Sequence, residues 1–126
     1  MLYFALSYDG LEQWEPPHEA EADALAAFHR HQRGDKGFGP ALGPDGVAVL
    51  ATMLRERGYR VDLSPSPWQL TQADHRLIEA LAEGAALAVS ETGLLPEAVV
   101  AEWFAARCRA RRVTIGHVDL LAIPPG

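Results

Sequence analysis

Three short runs of β-favouring residues, separated by stretches of helical period, limit what this chain can fold into more than any single motif does. Leu2 to Tyr8 is aromatic and aliphatic and stops at Asp9-Gly10. Tyr59 to Leu63 is cut short by Ser64-Pro65-Ser66-Pro67, and Arg112 to Ile123 (RVTIGHVDLLAI) is closed by Pro124-Pro125. Between them, Glu19 to Gln32 predicts a helix rich in Ala and Glu, with Leu25 and Phe28 on one face. Val47, Leu50 and Leu54 recur at helical spacing after Gly43-Pro44-Asp45 and before the stop at Gly58. Thr71 caps a third helix, with Asp74 in the capping-box position and Leu77, Ile78, Leu81 and Leu87 as its apolar side. Pro96 opens a fourth, through about Arg109, carrying Val99, Val100, Trp103 and Phe104. Strands that alternate with helices point to an α/β layer fold. Three main strands make a thin sheet, since sheets usually hold about four to six.

Asp9-Gly10 is also a type I′ turn signal, and LEQW beyond it alternates apolar and polar residues. The opening therefore reads as a hairpin with Leu11 to Trp14 as the return arm. A buried strand that starts directly after Met1 is expected in a piece of something longer, because chain ends are usually polar and loose. The 126 residues suggest one domain, 1–126, and a 48% hydrophobic fraction supports a packed core. Seventeen acidic residues against eleven basic ones leave a net charge of −6, which speaks against general nucleic-acid binding. Arg107, Arg109, Arg111 and Arg112 read as a solvated helix end. The single Cys108 fits a reducing compartment, and neither a leader peptide nor an apolar run of about 18 residues is present. A cytoplasmic protein without membrane or nucleic-acid partners is the expectation.

The stretch HQRGDKGFGPALGPDG, His31 to Gly46, carries the densest glycine and proline signal. Its glycines miss the G-x-G-x-x-G spacing and follow a helix, and Asp35-Lys36-Gly37 does not match a P-loop. Two readings stand: a lid in which His31, Gln32, Asp35 and Lys36 offer polar groups and Phe38 closes over a ligand, or a plain surface connection. Ser7-Tyr8-Asp9 lies at the carboxyl end of the first strand, where ligands bind in open α/β sheets. Tyr8 or Asp9 there either faces a substrate or serves a turn. His29 and His31, two apart, point to different helix faces, and no zinc spacing is present, so no metal is expected. His117 beside Asp119 reads as a hydrogen-bonded structural residue, and Cys108 as an ordinary one. Trp68, Trp103 and Phe104 read as packing, with Trp68 best placed to line a cleft.

Several of these pieces together resemble one family. ALSYDG (Ala5 to Gly10), HQRGDKGFGPALGPDG, SPSPWQL and IGHVDLLAIPP look like the C-terminal half of a bacterial class I S-adenosylmethionine-dependent methyltransferase. The resemblance covers essentially the whole chain, and HQ-x-x-DKGFGPALGP is its most specific part. It implies a partial Rossmann-like sheet holding the last three of seven strands, with flanking helices and a two-helix insertion at Thr71 to Arg109. Leu2 to Tyr8 is then the fifth strand, Tyr59 to Leu63 the sixth, and Arg112 to Ile123 the seventh, antiparallel beside the fifth. The implied cofactor is S-adenosylmethionine, held mainly by a glycine-rich turn and an acidic residue on strands this chain does not contain. What carries over is the substrate side: Asp9, His31 or Asp35 as general base, and Ser7, Tyr8, Gln32, Lys36, Phe38 and Trp68 toward a small-molecule substrate. The expected partner is the missing N-terminal half or a second copy. The alternative is a non-catalytic binding or dimerisation module, since a half-sheet with open edges pairs with another chain.

Overall fold

The computed structural model describes residues 1–34 and 42–126, with Leu6 and Ser7 described in their backbone only. The candidates Asp35, Lys36 and Phe38 lie outside the described residues. In chain order the elements are β1 (Leu2–Glu15), α1 (Glu21–Gln32), α2 (Gly46–Glu56), β2 (Arg60–Pro65), β3 (Trp68–Thr71), α3 (His75–Thr92), α4 (Glu97–Cys108) and β4 (Arg112–Ile123). The chain is a mixed α/β domain in which four strands form one antiparallel sheet.

Every strand pairs with β4. β1 lies along one side, and β2 and β3 share the other, pairing with its second and first halves. The register is unchanged from β2 to β3, and the Ser66 N–H donates to the His117 carbonyl at 2.8 Å between them. The pair is thus one long edge interrupted at Ser66-Pro67, where proline has no N–H to give a ladder. The run SPSP hid β3 from the sequence, which showed only three main strands. β1 corrects a second expectation. Asp9-Gly10 does not turn the chain back, because residues on both sides of it continue along β4: Tyr8 opposite His117 and Glu12 opposite Ile115. The dipeptide forms a bulge instead. Gly10 takes φ +90°, where L side chains are strained, and the Leu11 N–H donates to Asp9 Oδ1 at 2.9 Å.

The helices cover both faces. Along β4, Val113 and Ile115 face one side with Trp14, Leu70, Ile78 and Ala82, whereas Leu120 and Ala122 face the other with Ala51, Leu54 and Val61. So α2 packs on one face, and α3 on the opposite one. A third cluster, Ala24, Ala27, Ala85, Val89, Val100 and Trp103, joins α1, α3 and α4 into an outer layer. α1 buries Ala24 and Ala27, while the predicted Leu25 and Phe28 are only partly covered, because alanines let it approach α3 closely. α3 likewise buries Ile78, Ala82, Ala85 and Val89 and leaves Leu77 and Leu87 exposed. Its start is as read: Thr71 and Asp74 form the capping box, with Asp74 Oδ2 accepting the Thr71 N–H at 3.0 Å. Among the described residues no helix is long and apolar enough to cross a membrane.

Gly116 of β4 sits under the bulge. A Cβ there would lie 2.2 Å from Asp9 Oδ1 and 2.8 Å from Leu11 Cβ, both held by the bulge of β1. Gly116→Ala should therefore cost about 1–3 kcal/mol in urea unfolding, the usual cost of overpacking, whereas Gly84→Ala on open helix surface should not destabilise.

Candidate functional site

The sheet face under α1, α3 and α4 holds a cavity of about 240 Å³. Five aromatic rings line it: Tyr8 and Trp14 from β1, Phe28 from α1, Trp68 from β3 and His117 from β4. The Trp68 and His117 rings lie 4.6 Å apart between centroids, and Tyr8 meets His117 edge-on at 6.2 Å. Polar groups enter at Glu12, Gln32 and Arg107.

Arg107 organises the polar wall. It is 2% exposed, and its guanidinium lies between the Trp14 ring at 4.0 Å and the Trp103 ring at 4.3 Å. Glu21 of α1 accepts from Nε at 3.0 Å and Nη2 at 2.5 Å, a bidentate pair, and Glu12 Oε1 lies 3.3 Å from Nη2. The indole N–H of Trp103 donates to Glu21 Oε1 at 2.9 Å, and that of Trp14 to Glu12 Oε1 at 2.8 Å. Glu12 Oε2 accepts the Tyr8 hydroxyl at 2.5 Å. Each of the four carboxylate oxygens therefore has at least one donor. Of the guanidinium, Nη1 has no hydrogen-bond partner among the described residues.

The Tyr8 hydroxyl has one proton, and it goes to Glu12. Its second contact, His29 Nε2 at 2.8 Å, must then donate to the phenol oxygen. Burial, with Glu12 beside it, pushes the Tyr8 phenol far above its ordinary range, so it stays protonated, and burial lowers the His29 imidazole. His117 is 6% exposed, and its Nδ1 is 3.0 Å from the Ile115 carbonyl. A carbonyl can only accept, so Nδ1 carries a hydrogen. Cys108 is pushed up by burial and by Glu79, away from thiolate character.

Of the residues singled out from the sequence, Tyr8, Gln32 and Trp68 line this one cavity. Gln32 is the last residue of α1, and its buried Oε1 has no partner among the described residues. Asp9 is spent on the bulge, and His31 turns to Glu91 of α3 at 2.6 Å, so neither lines the cavity. Ser7 pairs with Val118 through its backbone. Glu12, Trp14, Glu21, His29 and Arg107 were not read as site residues. Arg107 in particular is no solvated helix end, unlike the exposed Arg109, Arg111 and Arg112. One signal was there: Val100, Trp103 and Arg107 fall on a single helical stripe, so the arginine interrupts an apolar face rather than ending it.

A space of roughly 150 Å³ takes one benzene, so this cavity of about 240 Å³, open to one side, suits a flat group of ring size. Among the described residues no three His, Cys, Asp or Glu side chains gather as a metal-binding group.

Removing the guanidinium strands two carboxylates, of which Glu12 is almost wholly buried. Arg107→Met should cost about 3–5 kcal/mol in urea unfolding, as for other broken buried pairs, and Arg109→Met, on the exposed surface, less than about 0.5 kcal/mol. Comparison with known proteins finds no family model, no curated protein and no solved structure that matches the chain.

Proposed function

We propose that this chain is the acceptor-side portion of a class I S-adenosylmethionine-dependent methyltransferase acting on a small molecule. In this reading the aromatic cavity receives the methyl acceptor, and residues outside the chain hold the cofactor. Strand direction carries the reading. β4 is antiparallel to both β1 and β2, so those two run parallel with the last strand between them. The sequence resemblance calls for a last strand set antiparallel beside the first. Further support comes from α3 and α4, which stand where a two-helix insertion is expected, between β3 and β4.

The chain's own residues would bind and orient the acceptor. Methyl transfer to oxygen or nitrogen needs mainly alignment of the two reactants. The Trp14 and Arg107 side of the cavity, with the guanidinium held from behind by Trp103 and by Glu12 and Glu21, is a stiff wall that suits that task. No step is assigned to the cofactor.

A second reading, a dimerisation module, rests on one specific observation. β1 is an edge strand, and Leu2, Tyr3, Phe4 and Leu11 along it are exposed, an edge suited to pairing with a second copy.

Calorimetric titration with S-adenosylhomocysteine separates the readings, using the chain alone and the product of the whole reading frame in which it lies. The proposal expects no binding to the folded chain and micromolar binding to the whole product. Absence of binding to both contradicts it, and a chain that sediments as a stable dimer without binding supports the second reading.

A further inference from the structure

One polar atom at the aromatic cavity is left over. Among the described residues, Oε1 of Gln32 is the one buried side-chain oxygen or nitrogen without a hydrogen bond. Gln32 ends α1 and lines the cavity together with Tyr8 and Phe28. A buried acceptor left unpaired has lost its hydration and gained nothing in return, so folds seldom keep one unless something pairs with it. The terminal torsion of a glutamine is soft, so the amide can meet a partner in the cavity while α1 stays in place.

Shape and charge narrow what that partner belongs to. Five rings and a volume of about 240 Å³ suit a flat group. Gln32 also borders a hollow of about 300 Å³ at the start of α2, but there Tyr8 supplies the one ring, among Gly43, Gly46, Val47 and Leu50. The flat walls therefore put a ring on the cavity side. Glu12 and Glu21 outnumber Arg107, which turns away an anion. Each of their four oxygens already has a donor, which leaves a cation little to gain. Either ion would also lose its hydration on entry.

We infer that the cavity binds an uncharged, flat ring compound through an N–H or O–H that donates to the side-chain carbonyl of Gln32, which makes Gln32 the residue that selects the ligand. This rests on the acceptor-side reading and names its substrate class, a ring bearing a hydroxyl or an N–H. It is tested without S-adenosylmethionine, so its failure and the failure of methyl transfer are separable.

The test follows the Gln32 side-chain amide and the Trp68 indole N–H of the ¹⁵N-labelled chain, because Trp68 lines the cavity and not the second hollow. Indole carries a ring N–H, and benzofuran has the same shape with an oxygen in its place. Indole-2-carboxylate and indol-2-ylmethylammonium add a negative or a positive charge to the first probe. The inference expects indole to shift both resonances and to bind about fivefold tighter than benzofuran, the worth of one net hydrogen bond. Indole should also bind tighter than either ion. Gln32→Met keeps the length of the side chain and removes its carbonyl. It should fold, since the oxygen it removes has no partner to lose, and should bind indole and benzofuran equally. Trp68→Leu should weaken both probes and leave their ratio unchanged. If Gln32→Met does not fold, the ratio measured on the native chain decides. Benzofuran binding as tightly as indole, which would mean that the amide presents its N–H instead, overturns the inference. So does tighter binding of either ion, no binding of indole, or a preference for indole that survives Gln32→Met.

Discussion

The guanidinium of Arg107 is where the sheet and the outer helices are fastened together. It is clamped flat between an indole from β1 and one from its own helix α4, and its edges are held by carboxylates from β1 and α1. No other buried charge among the described residues reaches three elements. A buried ion pair is weak evidence for stability, because desolvation offsets much of the attraction. What this one supplies is position. It fixes the angle of α4 to the strand bearing Tyr8, Glu12 and Trp14, and so the shape of the cavity between them. The alanine contacts between α1 and α3 do the same for the roof, where Phe28 and Gln32 enter.

β4 plays the matching part in the sheet. Its first half turns Val113, Ile115 and His117 toward the cavity side, and its second half turns Leu120 and Ala122 toward α2. The parity of burial changes along the strand, and the bulges of β1 let a 14-residue partner follow it. Tyr8 and Glu12, four residues apart, thereby come within hydrogen-bond reach of each other across the Asp9-Gly10 bulge. In a regular strand the same two side chains would stand further apart on one face.

These particulars explain what could be read beforehand. The capping box at Thr71 and Asp74, the proline opening α4 and the full length of β4 are set by local chemistry, and each was legible. Asp9-Gly10 was not, because bulge and hairpin share a dipeptide, and the choice was made by a strand about a hundred residues away. Tyr8, Gln32 and Trp68 were legible as a strand end, a helix end and an aromatic among prolines. That they share a cavity was not, since it depends on how α1 and β3 pack on β4. Arg107 was hidden by its neighbours: in a run of four arginines, burial separates one from the rest, and only the helical stripe of Val100 and Trp103 distinguished it.

The proposed reading makes β1 an inner strand of a larger sheet whose next strand lies outside this chain, although within the chain it is an edge strand. Amide hydrogen exchange along β1 tests it most directly. The account predicts fast exchange, in the dilute chain alone, of the β1 amides that do not bond to β4, and strong protection of those same amides in the whole reading-frame product. Protection already present in the chain alone, rising with its concentration, would contradict it and assign that edge to a second copy.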